Sequence, residues 1–222
     1  MGLFDKIIGK KKTEDKNKNA SNKQKETDDK SVKIDNNENS EIEFKNIVKN
    51  SKDKFARYDA VSKITDVEFL KEVAINEPDL SDIKPLEPCP IANEAVMTLY
   101  LKHDLTNDEE TYMDILKNAK CFSVRGTIVQ RCLNDEDTLV EVVKNDSSFI
   151  VRRYAVEKLS SDFKNIKKDN LTVLVDVATN YPYYKVRELI MELISKQDKN
   201  LLKEIIDNTP YEDGKSLAKS LL

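Results

Sequence analysis

Tryptophan is absent from the 222 residues, glycine appears four times and histidine once. So few glycines disfavour an architecture of tight β-hairpins, whose turns need residues at positive φ, and leave helices as the economical solution. With His103 as the only histidine, a cluster of histidine metal ligands cannot be built, and a Ser-His-Asp or Cys-His site would have to use that one residue. There is no G-x-S-x-G elbow, no P-loop and no G-x-G-x-x-G. The three cysteines, Cys89, Cys121 and Cys132, are odd in number, widely spaced and without C-x-x-C. That pattern argues against a disulfide framework or a zinc site and for a reducing, intracellular setting. Cys132 falls on an apolar helix position as a small hydrophobe, and Cys89, between two prolines, is expected at the surface. No apolar run reaches the about 18 residues of a membrane span, and the start lacks the apolar core of a secretory signal. A cytoplasmic protein without metal or cofactor is the expectation.

What is present is charge and aliphatic periodicity. Charged residues make up 35% and hydrophobic ones 39% of the chain, with 37 basic against 41 acidic side chains and a net charge of −4. A dedicated nucleic-acid binder would show a basic domain, so none is expected to bind. Residues 13–40 are Lys, Asn, Asp, Glu, Ser and Thr with only Val32 and Ile34 as sizeable apolar residues. Such a stretch buries too little to offset its chain entropy and reads as a disordered linker. Residues 1–12 differ. Leu3, Phe4, Ile7 and Ile8 share one side of a short helix, and Lys10, Lys11 and Lys12 form a basic flank. That is the pattern of a segment lying weakly on an anionic membrane surface, which would place the protein at the inner face of the cell membrane. The folded part is expected over residues 41–222, opening with a short helix that carries Ile42, Phe44, Ile47 and Val48.

Five times a small or branched residue precedes an anchor: Ala56-Arg57, Ala92-Asn93, Val124-Arg125, Val151-Arg152 and Val186-Arg187. Three residues beyond each anchor stand Ala60, Val96, Ile128, Ala155 and Ile190. Four beyond stand Val61, Met97, Val129, Val156 and Met191, and seven beyond stand Ile64, Tyr100, Cys132, Leu159 and Ile194. Offsets of 3, 4 and 7 put these on one helical face. A polar break follows each, and Thr65 with Glu68 has capping-box spacing at the first. A second apolar helix comes next, around Leu70, Leu116, Leu139, Leu174 and Leu202. A last helix, "GKSLAKSLL", closes the array.

A hairpin this short cannot bury its apolar face alone, whereas stacked hairpins bury a continuous core. The pairs resemble HEAT repeats, in particular the short PBS-lyase-type form that runs D-x-x-x-x-V-R-x-x-A-x-x-x-L. Asp146, Val151, Arg152, Ala155 and Leu159 match it best, and the likeness extends over roughly residues 55 to 208. The resemblance implies an all-α, right-handed α-solenoid of about five helix pairs. It also implies a non-catalytic, monomeric scaffold or adaptor that binds a protein partner. The other activity the resemblance allows is that of a HEAT-like enzyme or a bilin-type lyase, but the repeated His-Glu pairs of the iron-binding members are missing. In the resemblance Arg57, Arg125, Arg152 and Arg187 are structural, pairing with carboxylates or carbonyls at the turns, and a basic stripe for phosphate is the competing role.

Two places break the pattern. Residues 77–90 hold four of the six prolines and read as an extended insertion. Tyr181, Tyr183 and Tyr184 crowd one turn, where tyrosines serve either to pack against the neighbouring pair or to meet a partner.

Overall fold

The computed structural model describes residues 29–77 and 89–222. Among the described residues there are twelve α-helices, one 3-10 turn at Leu105–Asn107 and no strand. The helices are α1 Asp29–Asn50, α2 Lys54–Val61, α3 Val67–Asn76, α4 Pro90–Lys102, α5 Glu109–Asn118 and α6 Phe122–Arg131. They continue as α7 Glu136–Asn145, α8 Phe149–Asp162, α9 Lys168–Asn180, α10 Tyr184–Gln197, α11 Leu201–Asn208 and α12 Glu212–Leu221. Among the described residues, 29–40 belong to one unit and Glu41–Leu222 to another, and the packing below is that of the second. Leu3, Phe4, Ile7, Ile8, Lys10, Lys11 and Lys12, expected from the sequence to meet a membrane, lie outside the described residues, as do residues 78–88 of the insertion. Helix α1 starts at Asp29, within the stretch that composition reads as linker.

Four helices, α2, α3, α5 and α7, begin at an aspartate that accepts from their free amides. Asp53 accepts from the amides of Phe55 and Ala56, Asp108 from Thr111 and Asp135 from Thr138. At α3 the cap is Asp66, which accepts from Phe69, and not Thr65. The Thr65 hydroxyl is committed elsewhere, donating to Glu41 Oε2 at 2.7 Å, while the amides of Thr65 and Asp66 donate to Glu41 Oε1 at 3.0 and 2.8 Å. Polar breaks come later than composition suggests in α8, which runs through Ser160, Ser161 and Asp162 before stopping at Phe163.

The apolar faces meet in one core. Of the residues at offsets 3, 4 and 7 from the anchors, all are buried except Met97 and Tyr100. In α4 the buried set is instead Ala92, Ala95, Val96 and Leu99, a face rotated slightly from that of the other first helices. From α3 onward each second helix packs chiefly on the first helix that follows it, α3 on α4, α5 on α6, α7 on α8, α9 on α10 and α11 on α12, and not, as the sequence pairing expects, on the first helix that precedes it. Each first helix also packs on the next, from α2 to α4, α6, α8, α10 and α12 in turn. The second helices do likewise from α3 to α5 and from α7 to α9 to α11. Ala60 and Ala155 sit where first helices approach, and both are buried. From α1, Val48 is buried and Phe44 and Ile47 pack on the core, while Ile42 faces solvent.

The cysteines correct the sequence expectation. Cys89 is buried, not exposed, and forms a disulfide with Cys121. Cys132 is free and buried as expected, and burial pushes its thiol pKa up to about 11.

Candidate functional site

The anchor residues occupy one register in the structure. Arg57, Asn93, Arg125, Arg152 and Arg187 each stand four residues after the N-cap of a first helix, the caps being Asp53, Cys89, Cys121, Ser148 and Tyr183. A sixth anchor, Lys215, stands four after Tyr211. Sequence reasoning missed it because Gly214 replaces the usual Val or Ala. A second register mark was also missed. Helices α1, α3, α5, α7, α9 and α11 all end in asparagine, at Asn50, Asn76, Asn118, Asn145, Asn180 and Asn208. Except across the insertion, the asparagine precedes the next anchor by seven residues.

The guanidinium groups clamp the turns on both sides. Each donates to carbonyls of the preceding turn: Arg57 to Val48, Arg125 to Ala119 and Lys120, Arg152 to Val143 and Asp146, Arg187 to Tyr181 and Pro182. Each also reaches forward to the following turn. Arg57 meets Glu77 at 2.7 Å, Arg125 meets both Asp146 oxygens at 2.8 and 3.0 Å, and Arg187 meets both Asp213 oxygens at 2.7 and 2.8 Å. Arg152 lies instead over the Tyr181 ring, 4.1 Å from its centroid. These donors are spent inside the fold, which is the structural role and not a free basic stripe.

The three tyrosines divide. Tyr181 is half-buried under Arg152, and burial pushes its phenol pKa up. Tyr183 stacks on Phe149, centroids 4.9 Å apart, and leans on Tyr181 at 5.5 Å. Yet Phe149 is 40% exposed, Tyr183 51% and Tyr184 42%. The result is an aromatic strip along the edge where α8 and α10 begin, ordered by packing and open to solvent.

The second helices form the other candidate surface. Between α5 and α7 lies a groove of about 410 Å³, and between α1 and α3 a smaller one of about 140 Å³. They are the same place in two helix pairs. Lys117 on one wall of the first corresponds to Lys49 in the second, and Glu141 with Asn145 on the opposite wall to Glu72 with Asn76. Leu116 and Val142 give the first its apolar sides, as Val48 and Val73 do the second. The Arg125–Asp146 and Arg57–Glu77 pairs close the inner ends. No group of three or more His, Cys, Asp or Glu that could hold a metal ion occurs among the described residues. Nor is any helix there long and apolar enough to cross a membrane. No family model, curated protein or solved structure matches the chain.

Proposed function

We propose that this chain is a non-catalytic binding scaffold, a right-handed α-solenoid of HEAT-like helix pairs that holds a protein partner. The observation that carries this reading is the recurrence of one two-sided clamp at successive turns. At each of the four arginines it fixes one helix pair to the next, and it leaves the edge and the second-helix side open. Such an open stack presents an extended surface without needing a chemical centre. The exposed rings of Phe149, Tyr183 and Tyr184 supply rigid contact area on that surface at small entropic cost. Residues 1–12 add, from their sequence, a weak tether to anionic membrane, so the scaffold works in the cytoplasm at the inner face of the membrane.

The test is site-specific photo-crosslinking in cells, with the photoreactive group at Tyr184 or, as a control, at Glu192. One discrete adduct formed from Tyr184 and absent from Glu192 is expected, and the purified partner should lose affinity for the double variant Phe149→Ala, Tyr183→Ala. Identical adducts from both positions, or none from either, would count against the scaffold. For the tether, deletion of residues 1–12 should abolish sedimentation with anionic liposomes at low salt.

A further inference from the structure

The two grooves share more than shape. Lys117 has no hydrogen-bonded or ion-paired partner among the described residues, and neither do Glu72 and Asn76. Glu141 is bonded only by Asn145 of its own helix. Lys49 lies over the Phe69 ring of its own groove, 5.1 Å from the centroid, and otherwise the fold makes little use of these rims. In each groove one wall carries an ammonium donor and the other a carboxylate and a carboxamide that accept. A peptide main chain offers the matching carbonyls and amides, and the aliphatic sides take an apolar side chain.

Charge narrows the occupant. Four residues before the terminal asparagine, every second helix from α3 to α11 carries an acid: Glu72, Asp114, Glu141, Asp176 and Glu204. All but the half-buried Asp114 are exposed. Lysines adjoin the asparagine only at Lys49, Lys117 and Lys144. The row is anionic on balance and complements a basic chain. Spacing narrows it further. The grooves are two helix pairs apart, about 20 Å since α5 and α7 stand further apart than packed neighbours, which an extended chain covers in about six residues.

We propose that the two grooves form one docking site for an extended, basic segment of a partner protein, with an aliphatic side chain in each groove. The proposal rests on the scaffold reading and names the chemistry of what the scaffold holds. A segment crossing the second helices would meet Asn118 between the grooves, at the same register as Asn76 and Asn145.

The probe is a set of short fluorescein-labelled synthetic peptides of lysine and serine carrying two leucines, measured by anisotropy against the full chain. Leucines about six residues apart should bind about tenfold tighter or more than the same composition with adjacent leucines, and replacing lysine by glutamate should abolish binding. The double variant Glu72→Lys, Glu141→Lys should lose about tenfold or more, while Glu157→Lys with Glu192→Lys, on first helices, should lose little. If the groove variant also melts lower, Asn145→Ala provides the test, since its amide bonds only within α7. Binding indifferent to leucine spacing, or lost equally in both charge reversals, overturns the site. Failure of every peptide alongside a specific Tyr184 crosslink removes the groove and leaves the scaffold. Spacing-dependent peptide binding without a Tyr184 crosslink upholds the groove and takes the aromatic strip out of the contact.

Discussion

Arg187 is the most deeply buried guanidinium among the described residues, and its removal gives the sharpest test of the clamp. It is 1% exposed, although its partner Asp213 is 51% exposed. Nη1 donates to the carbonyls of Tyr181 and Pro182 at 2.9 and 2.7 Å, Nη2 grips Asp213, and the guanidinium lies 4.0 Å from the Tyr211 ring centroid. Truncation to alanine leaves two inward-facing carbonyls short of a donor and opens a hole beneath Tyr211. Each lost bond to a charged donor is worth about 1.5–3 kcal/mol, and water entering from the Asp213 side recovers part of it. The expected cost of Arg187→Ala is about 3–4 kcal/mol, near the lower range for breaking a buried pair. Asp213→Ala should behave differently. Its carboxylate is half in water and the carbonyl bonds persist, but the buried guanidinium loses its counter-charge, so the expected cost is about 1–3 kcal/mol, below that of the arginine. Arg187→Lys should fall between, because an ammonium cannot span the fork of acceptors.

The assay is urea denaturation followed by circular dichroism, paired with amide hydrogen exchange. In helical arrays the end can open by itself, so exchange over α12 should accelerate in Arg187→Ala before α2–α8 respond. Should Asp213→Ala cost as much as Arg187→Ala, the anchor would be an ion pair and not a backbone clamp. An Arg187→Ala variant within about 0.5 kcal/mol of the parent would refute the clamp altogether.

Four further outcomes follow from the same geometry. Reduction of the Cys89–Cys121 bond, which spans 32 residues, should lower unfolding free energy by about 3–4 kcal/mol in the loop-entropy account, measured as a midpoint shift with and without reductant. Leu159→Ala should cost about 2–5 kcal/mol through a cavity and Ala155→Leu about 1–3 kcal/mol through overpacking, since both positions are 0% exposed; parent-like melting of both would reject the face assignment. Burial raises the pKa of Glu41, but the hydrogen bonds from Thr65 and Asp66 outweigh it and hold the carboxyl below its ordinary value near 4.5. Its stabilisation is therefore complete above that value and lost as pH falls through the lowered one, so Glu41→Gln should flatten the acid limb of a melting-temperature profile. Native protein should resist maleimide at neutral pH, with Cys132 kept protonated and covered, and should label at Cys132 only on unfolding under non-reducing conditions, as read by mass spectrometry.

The helices were legible because their burial is local arithmetic: offsets of 3, 4 and 7 name Ile128, Val156 and Leu159 before any packing is known. The structural use of arginine was legible too, since a residue recurring at one register is doing the same job each time. The direction of its reach was not, because whether Arg57 meets Glu77 depends on how two turns face each other. The grooves were illegible for the same reason. Lys117 and Glu141 lie on different helices, and only the separation of α5 from α7 makes them one rim. Gly214 hid the sixth anchor by carrying no side chain for the apolar pattern to register.

The disulfide had a signal that counting spacings overlooked. Cys89 and Cys121 stand 32 residues apart, but each is four residues before an anchor, so both are N-caps of consecutive first helices. Their junction is also the one where the clamp fails on both sides. The anchor is Asn93, whose amide reaches only as far as Ser123 Oγ at 2.8 Å. The forward partner is missing as well, for Ala119 caps α5 where Glu77, Asp146 and Tyr181 cap α3, α7 and α9. An acid left there without its arginine would be a half-buried charge with nothing to answer it, so the two losses belong together. What joins α4 to α6 in their place is the Cys89–Cys121 bond, tying the same two turns by their caps. It follows that the disulfide is the second pair's version of the clamp, and that restoring Arg at Asn93 alone would not replace it, because no acceptor waits at Ala119.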